Sequence, residues 1–267
     1  MDFTGKVALV TGGGGGIGVA TCLAFARHGA RVVVVDHDAA LGQEAASQVR
    51  AAGGEAIFVR ADVSKSAEVQ AYVKAAMDAY GRIDCFFNNA GIEGTVAPIQ
   101  DYEEAMWHAV IGVNLTGVFL GLKYVLPVML KQESGTVVNT ASTAALFGGP
   151  GMAAYVASKH GVAGLTKTAS SDVARYGVRV NALCPGPVET RMMRSLESQR
   201  NPADPEAVHA ANAAGMPTGR YTYPEEIANS VLYLCSDLSG NITGTQLVID
   251  SGRSASGGAV IAARRNR

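Results

Sequence analysis

The sequence predicts an α/β fold: a doubly wound parallel sheet of about seven strands, with helices on both faces, in a single domain. Three observations carry this. Short apolar runs such as RVVVVD over 31–36 have the two-sided burial pattern of parallel strands. These runs alternate with Ala-rich stretches of helical period. A glycine-dense turn, from Gly12 to Gly18, separates the first run from the first helix.

In order, the first strand is 7–11, and the glycine turn leads into a helix over 19–28 that Gly29 ends. The second strand, 31–36, places Asp36 at its exit. A helix over 39–52 stops at Gly53 and Gly54, and the third strand, 55–60, leads to Asp62 and Val63. Residues 67–80 form a helix closed by Gly81. The fourth strand, 83–87, runs into Asn88, Asn89, Ala90 and Gly91. A long helix is expected over 101–131, interrupted around Gly112 to Asn114 and again at Pro127. The fifth strand, 136–140, delivers Ser142 to the same edge. A helix over 153–176 carries Tyr155 and Lys159, and the sixth strand, 178–183, enters Cys184, Pro185 and Gly186. Between 191 and 222 the pattern loses its period, with Pro202, Pro205 and Pro217, and reads as a substrate lid. A helix over 224–234 and a last strand over 246–250 complete a Rossmann-type sheet. The domain runs over 1–252, and 253–267 is a loose tail.

Composition excludes several classes. Lys plus Arg number 22 and Asp plus Glu 23, for a net charge of -1, so no electrostatic footprint for nucleic acid exists. No secretory leader is visible, and no apolar run is read as long enough to span a membrane. Cys22, Cys85, Cys184 and Cys235 are scattered, without metal-ligand spacing, as expected of core thiols in the cytoplasm. No metal site is expected.

The chemistry-bearing residues collect where the strands end, which is where such sheets bind ligands. Gly12, Gly16, Ile17 and Gly18 build a turn whose backbone approaches a ligand closely, at the N-terminus of a helix. A pyrophosphate suits that space. Asp36 can accept both ribose hydroxyls of an adenosine and repels a 2′-phosphate, which favours NAD over NADP. Tyr155 and Lys159 stand four residues apart on one helix face. A phenol so placed becomes useful near neutral pH only if its pKa falls, and the ammonium is expected to lower it. Ser142 can hold a substrate oxygen, and Asn114 can open its helix and hold a water. Met192 and Met193 offer an adaptable substrate wall, and Glu93, just past Gly91, is expected to contact the substrate with them.

With these residues in place, the chain resembles the short-chain dehydrogenase/reductase family, in its shorter single-domain branch, from Lys6 to Gly252. The run from Thr11 to Gly18 matches TGxxxGxG, and residues 88–91 match NNAG. Asn114, Ser142, Tyr155 and Lys159 match the catalytic Asn-Ser-Tyr-Lys set. Pro185, Gly186, Val188 and Thr190 match the element that holds the nicotinamide. The resemblance implies an NAD(H)-dependent exchange between a secondary alcohol and a ketone, with Tyr155 as acid/base and Lys159 on the nicotinamide ribose. It also assigns Asp62, Val63, Asn89, Ala90 and Gly91 to the cofactor, and implies a homotetramer. The residues after NNAG look like those of members acting on cyclic substrates. Alternatives are a 3-oxoacyl-carrier-protein reductase and a non-catalytic dinucleotide-binding regulator. Asp250-Ser251-Gly252 departs from the family's Asp-Gly-Gly.

Overall fold

A computed structural model describes residues 1–255 of the 267-residue chain. The tail expected over 253–267 lies, from residue 256 on, outside the described residues.

Seven parallel strands pair in the order β3-β2-β1-β4-β5-β6-β7. They are β1 (Val7–Thr11), β2 (Arg31–Asp36), β3 (Glu55–Arg60), β4 (Cys85–Asn88), β5 (Gly135–Thr140), β6 (Val178–Pro185) and β7 (Gln246–Ile249). The order turns outward on both sides of the β1–β4 pair, which opens a crevice at the carboxyl ends there. Their Val-rich sequences fit this place, since β1 and nearly all of β2 are buried on both faces.

One core packs Val69, Phe86, Val125 and Val162 between the sheet and one helix layer. The other packs Phe25, Val34, Phe87 and Val231 on the opposite face. The helices are α1 (Gly16–Arg27), α2 (Ala39–Ala51), α3 (Ser66–Tyr80), α4 (Glu104–Ile111), α5 (Gly117–Gln132), α6 (Ala153–Val173), α7 (Arg191–Arg200), α8 (Pro205–Ala214) and α9 (Pro224–Cys235). Asp38 starts α2 by accepting from the backbone N–H groups of Ala40 and Leu41, and Gly81 ends α3 at φ 72°.

Three expectations need correction. The break at Pro127 does not occur: Pro127 sits inside α5. The interruption at Gly112 to Asn114 is present as a π-helical turn over Gly112–Thr116. α4, this turn and α5 therefore form one continuous run of 29 residues, Glu104–Gln132. An 18-residue window within that run has a mean hydropathy of 1.7, enough by length and composition to cross a membrane, although Asn114 and Lys123 interrupt it. Its buried face, which includes Val118, Leu122, Val125 and Met129, packs into the core.

The stretch from 191 to 222 is not periodless either, because it folds as α7 and α8. Thr190 Oγ1 accepts from Met193 N to start α7, and Asp204 Oδ1 accepts from Ala207 N to start α8, with Pro205 in its first turn. Polar side chains tie the two helices. Glu197 is fully buried and accepts from the Tyr221 hydroxyl at 2.7 Å and from Arg194 Nη1 at 3.3 Å. His209 lies between two carboxylates, with Nδ1 3.1 Å from Glu197 and Nε2 3.3 Å from Glu189. A buried carboxylate with three partners replaces the apolar face that helical periodicity would have shown.

Ser251, at the family's glycine position, holds φ 61°, a conformation that costs an L side chain about 1 kcal/mol.

Candidate active site

The glycine turn is closed by its neighbours. A Cβ on Gly18 would stand 2.0 Å from the Gly12 carbonyl oxygen, and Gly12 itself holds φ 63°. No side chain caps α1, whose first N–H groups at Gly16 and Ile17 therefore face the open side of the turn. Positive backbone ends and close approach together suit an anion such as a pyrophosphate.

Asp36 is buried at the end of β2. Its Oδ2 accepts from Gly14 N at 2.9 Å and its Oδ1 from Asp38 N at 3.0 Å, and His37 Nδ1 lies 3.2 Å from Oδ1. The carboxylate is thus fixed beside the glycine turn. Arg60, opposite Asp36 in the β2–β3 register, lines the same cavity. Sequence reasoning found no basic group in the glycine turn or directly after Asp36, whereas strand pairing brings Arg60 in from β3. Asp62 accepts from Ser64 N and Oγ, and its carboxyl stays below the usual range despite partial burial, through those two bonds.

Asn89 ties three strand ends together. Its Nδ2 donates to Thr11 O at 3.1 Å, its N–H donates to Thr11 Oγ1, and its Oδ1 accepts from Thr140 Oγ1. Ala90 N also donates to Thr11 Oγ1. Gly91 passes close to two groups: a Cβ there would lie 3.3 Å from Asn114 Oδ1 and 3.7 Å from Lys159 Nζ.

Lys159 is buried, and its Nζ donates to the Thr140 carbonyl at 2.7 Å. Burial pulls its pKa down to about 8, against a smaller upward pull from Cys184. Nζ stands 5.5 Å from the Tyr155 ring centroid. Half-buried Tyr155 is corrected against expectation. Burial raises its pKa, a hydrogen bond with Ser142 opposes the rise, and Glu93 adds to it. Ser142 Oγ in turn accepts from Ala144 N at 3.1 Å.

Asn114 sits, fully buried, in the π-helical turn. Its amide is engaged by protein. Oδ1 accepts from Ile92 N at 2.8 Å, and Nδ2 donates to Ile92 O at 2.9 Å and to Ser158 Oγ at 3.3 Å. The unfavourable amide in an apolar helix thereby fixes the loop beyond Gly91.

Pro185, Gly186, Val188 and Thr190 follow β6. The Thr190 methyl lies against Gly16, where a Cβ would stand 3.2 Å from it. Met192 and Met193 open α7 beside them.

One cavity of about 850 Å³ runs from the glycine turn past Asp36 and Asp62 to Tyr155, Ser142, Glu93, Met192 and Met193. Every residue expected in the site lines it except Asn114, which stands behind Ile92. Ser195 and Arg191 line it too and were not foreseen, because the first turn of α7 was read as loop.

A family model described as short chain dehydrogenase matches residues 6–201. Levodione reductase of Leifsonia aquatica is 42% identical over 255 residues, covering 95% of this chain and 96% of that protein. The crystal structure of levodione reductase superposes with a TM-score of 0.94 at 41% identity, covering 95% and 99% of the two chains. That of NAD+-bound xylitol dehydrogenase gives 0.91 at 38% identity, covering 94% and 100%. That of a variant of actinorhodin polyketide ketoreductase with NADPH gives 0.88 at 37%, covering 92% and 96%.

Proposed function

The chain belongs to the short-chain dehydrogenase family, and from that premise we propose that it interconverts a secondary alcohol and a ketone with NAD(H). The observation that carries the proposal is the single cavity joining the glycine turn and Asp36 to Tyr155, Ser142 and Lys159. The residues fit a dinucleotide. The uncapped α1 N-terminus suits the pyrophosphate, and the oriented Asp36 carboxylate suits a ribose diol. Asp36 favours NAD; Arg60, with His37, would favour a 2′-phosphate. When bound, the nicotinamide supplies or takes up the hydride.

Tyr155 gives its proton to the substrate oxygen in reduction and takes it back in oxidation. Ser142 holds that oxygen beside the phenol and stabilises the charge that develops on it. Lys159, anchored on Thr140, presents its remaining N–H groups toward the cofactor ribose. Asn114 acts through Ile92, keeping the loop after Gly91 in place. Met192 and Met193, on a lid formed by α7 and α8, complete the substrate wall. Cyclic secondary alcohols are the substrates to try first.

Pairing of subunits through α4 and α5 into a homotetramer fits the exposed Trp107 and Phe119 on that apolar run. A monomer by light scattering would remove that part. A cytoplasmic setting fits four buried, unpaired cysteines.

The test is Tyr155→Phe. Turnover of a ketone panel should fall by about a hundredfold or more while NADH affinity is kept. Near wild-type turnover would defeat the proposal.

A further inference from the structure

Glu93 is held unusually well for a loop residue. Before it, Ile92 has both its backbone N–H and its carbonyl bonded to the Asn114 amide, at 2.8 and 2.9 Å. After it, the Gly94 carbonyl accepts from Gln199 Nε2 at 3.2 Å, and Val96 N donates to Gln199 Oε1 at 2.9 Å. Gln199 belongs to α7, so the loop is clamped from the lid side as well as from the core. Gly94 itself holds φ 74°, with space for a Cβ already taken by the Tyr102 hydroxyl and Val110.

The carboxylate so presented half-buried lines the cavity on the side of Tyr155 and Ser142. No hydrogen bond or ion pair to it occurs among the described residues, although Glu93 is close enough to Tyr155 to act on its titration. The other charged lining groups stand elsewhere. Asp36, His37, Arg60 and Asp62 lie at the β2 and β3 exits, and Lys159 is tied to Thr140. Arg191 follows Thr190, which lies against the glycine turn. A half-buried carboxylate on a clamped backbone, with no protein partner, is placed to accept from a ligand's donor.

We infer that Glu93 selects a substrate bearing a second hydrogen-bond donor beside the reacting carbon, a diol or hydroxyketone, and rejects substrates bearing a carboxylate. This rests on the alcohol/ketone reading above. A site that hydrogen-bonds a hydroxyl discriminates strongly against the analogue lacking it, because its own polar group is then left unpaired. Like charge excludes the anion by the same desolvated geometry.

The experiment compares cyclohexanol, trans-cyclohexane-1,2-diol and 3-hydroxycyclohexanecarboxylate as substrates of the wild type, Glu93→Leu and Glu93→Gln. NADH affinity and melting temperature are measured alongside. In the wild type, kcat/KM for the diol should exceed that for cyclohexanol by about tenfold or more. Glu93→Leu should bring that ratio to about one by loss on the diol alone. Glu93→Gln keeps an acceptor without the charge. It should retain part of the diol preference and gain about fivefold on the carboxylate substrate. It should also move the pH limb of oxidation to lower pH, since the Glu93 charge raises the Tyr155 pKa.

An unchanged diol-to-cyclohexanol ratio in Glu93→Leu, with the wild type active, would overturn the inference alone. An unfolded Glu93→Leu leaves the decision to Glu93→Gln, where no change on the diol or the anion overturns it equally. A wild type that turns over none of the three alcohols, nor the ketones of the first two, with either nicotinamide cofactor would overturn the alcohol/ketone reading and this inference with it.

Discussion

Substituting Gly18 by Ala tests whether the turn over the α1 N-terminus is as tight as its contacts require. The new methyl carbon would lie 2.0 Å from Gly12 O, whereas Cβ atoms essentially never come within 3.0 Å, so at least 1.0 Å must open. Neither side can yield easily. A Cβ on Gly12 would already stand 3.0 Å from Ala90 Cα, and one on Gly13 or Gly14 would stand 2.7 Å from Val34 or 2.8 Å from Leu41. On the far side α1 packs along α9. The displacement therefore falls on the turn itself. Overpacking of this kind costs about 1–3 kcal/mol, or roughly 2–12 °C in melting temperature for a chain of this size. A shift of about 1 Å in a positioning element costs on the order of a hundredfold in rate, about 2.7 kcal/mol, and the displaced turn should also bind NADH more weakly. Differential scanning fluorimetry and NADH fluorescence titration read the two effects. Gly15→Ala is the matched control. Gly15 holds φ -86°, and its Cβ would meet only Gly12 O at 3.4 Å, so this variant should melt like the wild type and lose affinity only through the methyl's intrusion into the cavity. A Gly18→Ala protein with unchanged melting and NADH affinity would refute the reasoning.

Asp36→Ala should raise kcat/KM for NADP relative to NAD by about tenfold or more, as Arg60 and His37 lose their competing carboxylate; equal use of both cofactors by the wild type would contradict the role given to Asp36. Tyr221→Phe removes a 2.7 Å hydrogen bond to a buried carboxylate, worth roughly 1.5–3 kcal/mol, and should lower the melting temperature by about 3–12 °C; a change under 1 °C would show that Glu197 does not depend on it. Lys159→Met should abolish turnover yet stabilise the cofactor-free protein at pH 7. Burial lowers the Lys159 pKa from 10.5 to about 8, so at pH 7 the native state carries a desolvation cost of roughly 3 kcal/mol, less the bond to Thr140. The unfolded chain binds the proton more tightly between those two values. Wild-type stability from this group therefore rises with pH over that window, and the advantage of Lys159→Met should shrink from pH 8 to 10.5 in thermal melts. A variant less stable than the wild type at pH 7 would show that the Thr140 contact outweighs desolvation.

Much of the fold was legible because its signals are local. The buried valines of β2, the glycines ending α3 and the residues at the strand exits each act through their own backbone or periodicity. What was not legible depends on partners distant in sequence. Pro127 stays in α5 because core packing over Val125 and Met129 outweighs the loss of one helical hydrogen bond. α7 and α8 gave no apolar stripe because Glu197, Tyr221 and His209 join them through polar contacts. Arg60 stands opposite Asp36 only through strand register, and the clamp on Glu93 uses main-chain groups that no side-chain pattern encodes.

The acidity of Tyr155 is the most instructive case. A cation one helical turn away suggests a phenol ready to ionise, but the same burial that holds the pair in place acts on both members in opposite senses. It raises the phenol above its ordinary 10.0 and brings the amine down to about 8. Without cofactor, Lys159 therefore loses its proton before Tyr155 does. Below about pH 8 the resting pair is a neutral phenol beside an ammonium, already charged with the proton that ketone reduction consumes. Alcohol oxidation must first strip that proton, so its rate should climb with pH while reduction persists at neutrality. The positive charge of a bound nicotinamide would then add to that of Lys159, held on Thr140, and make the phenolate accessible.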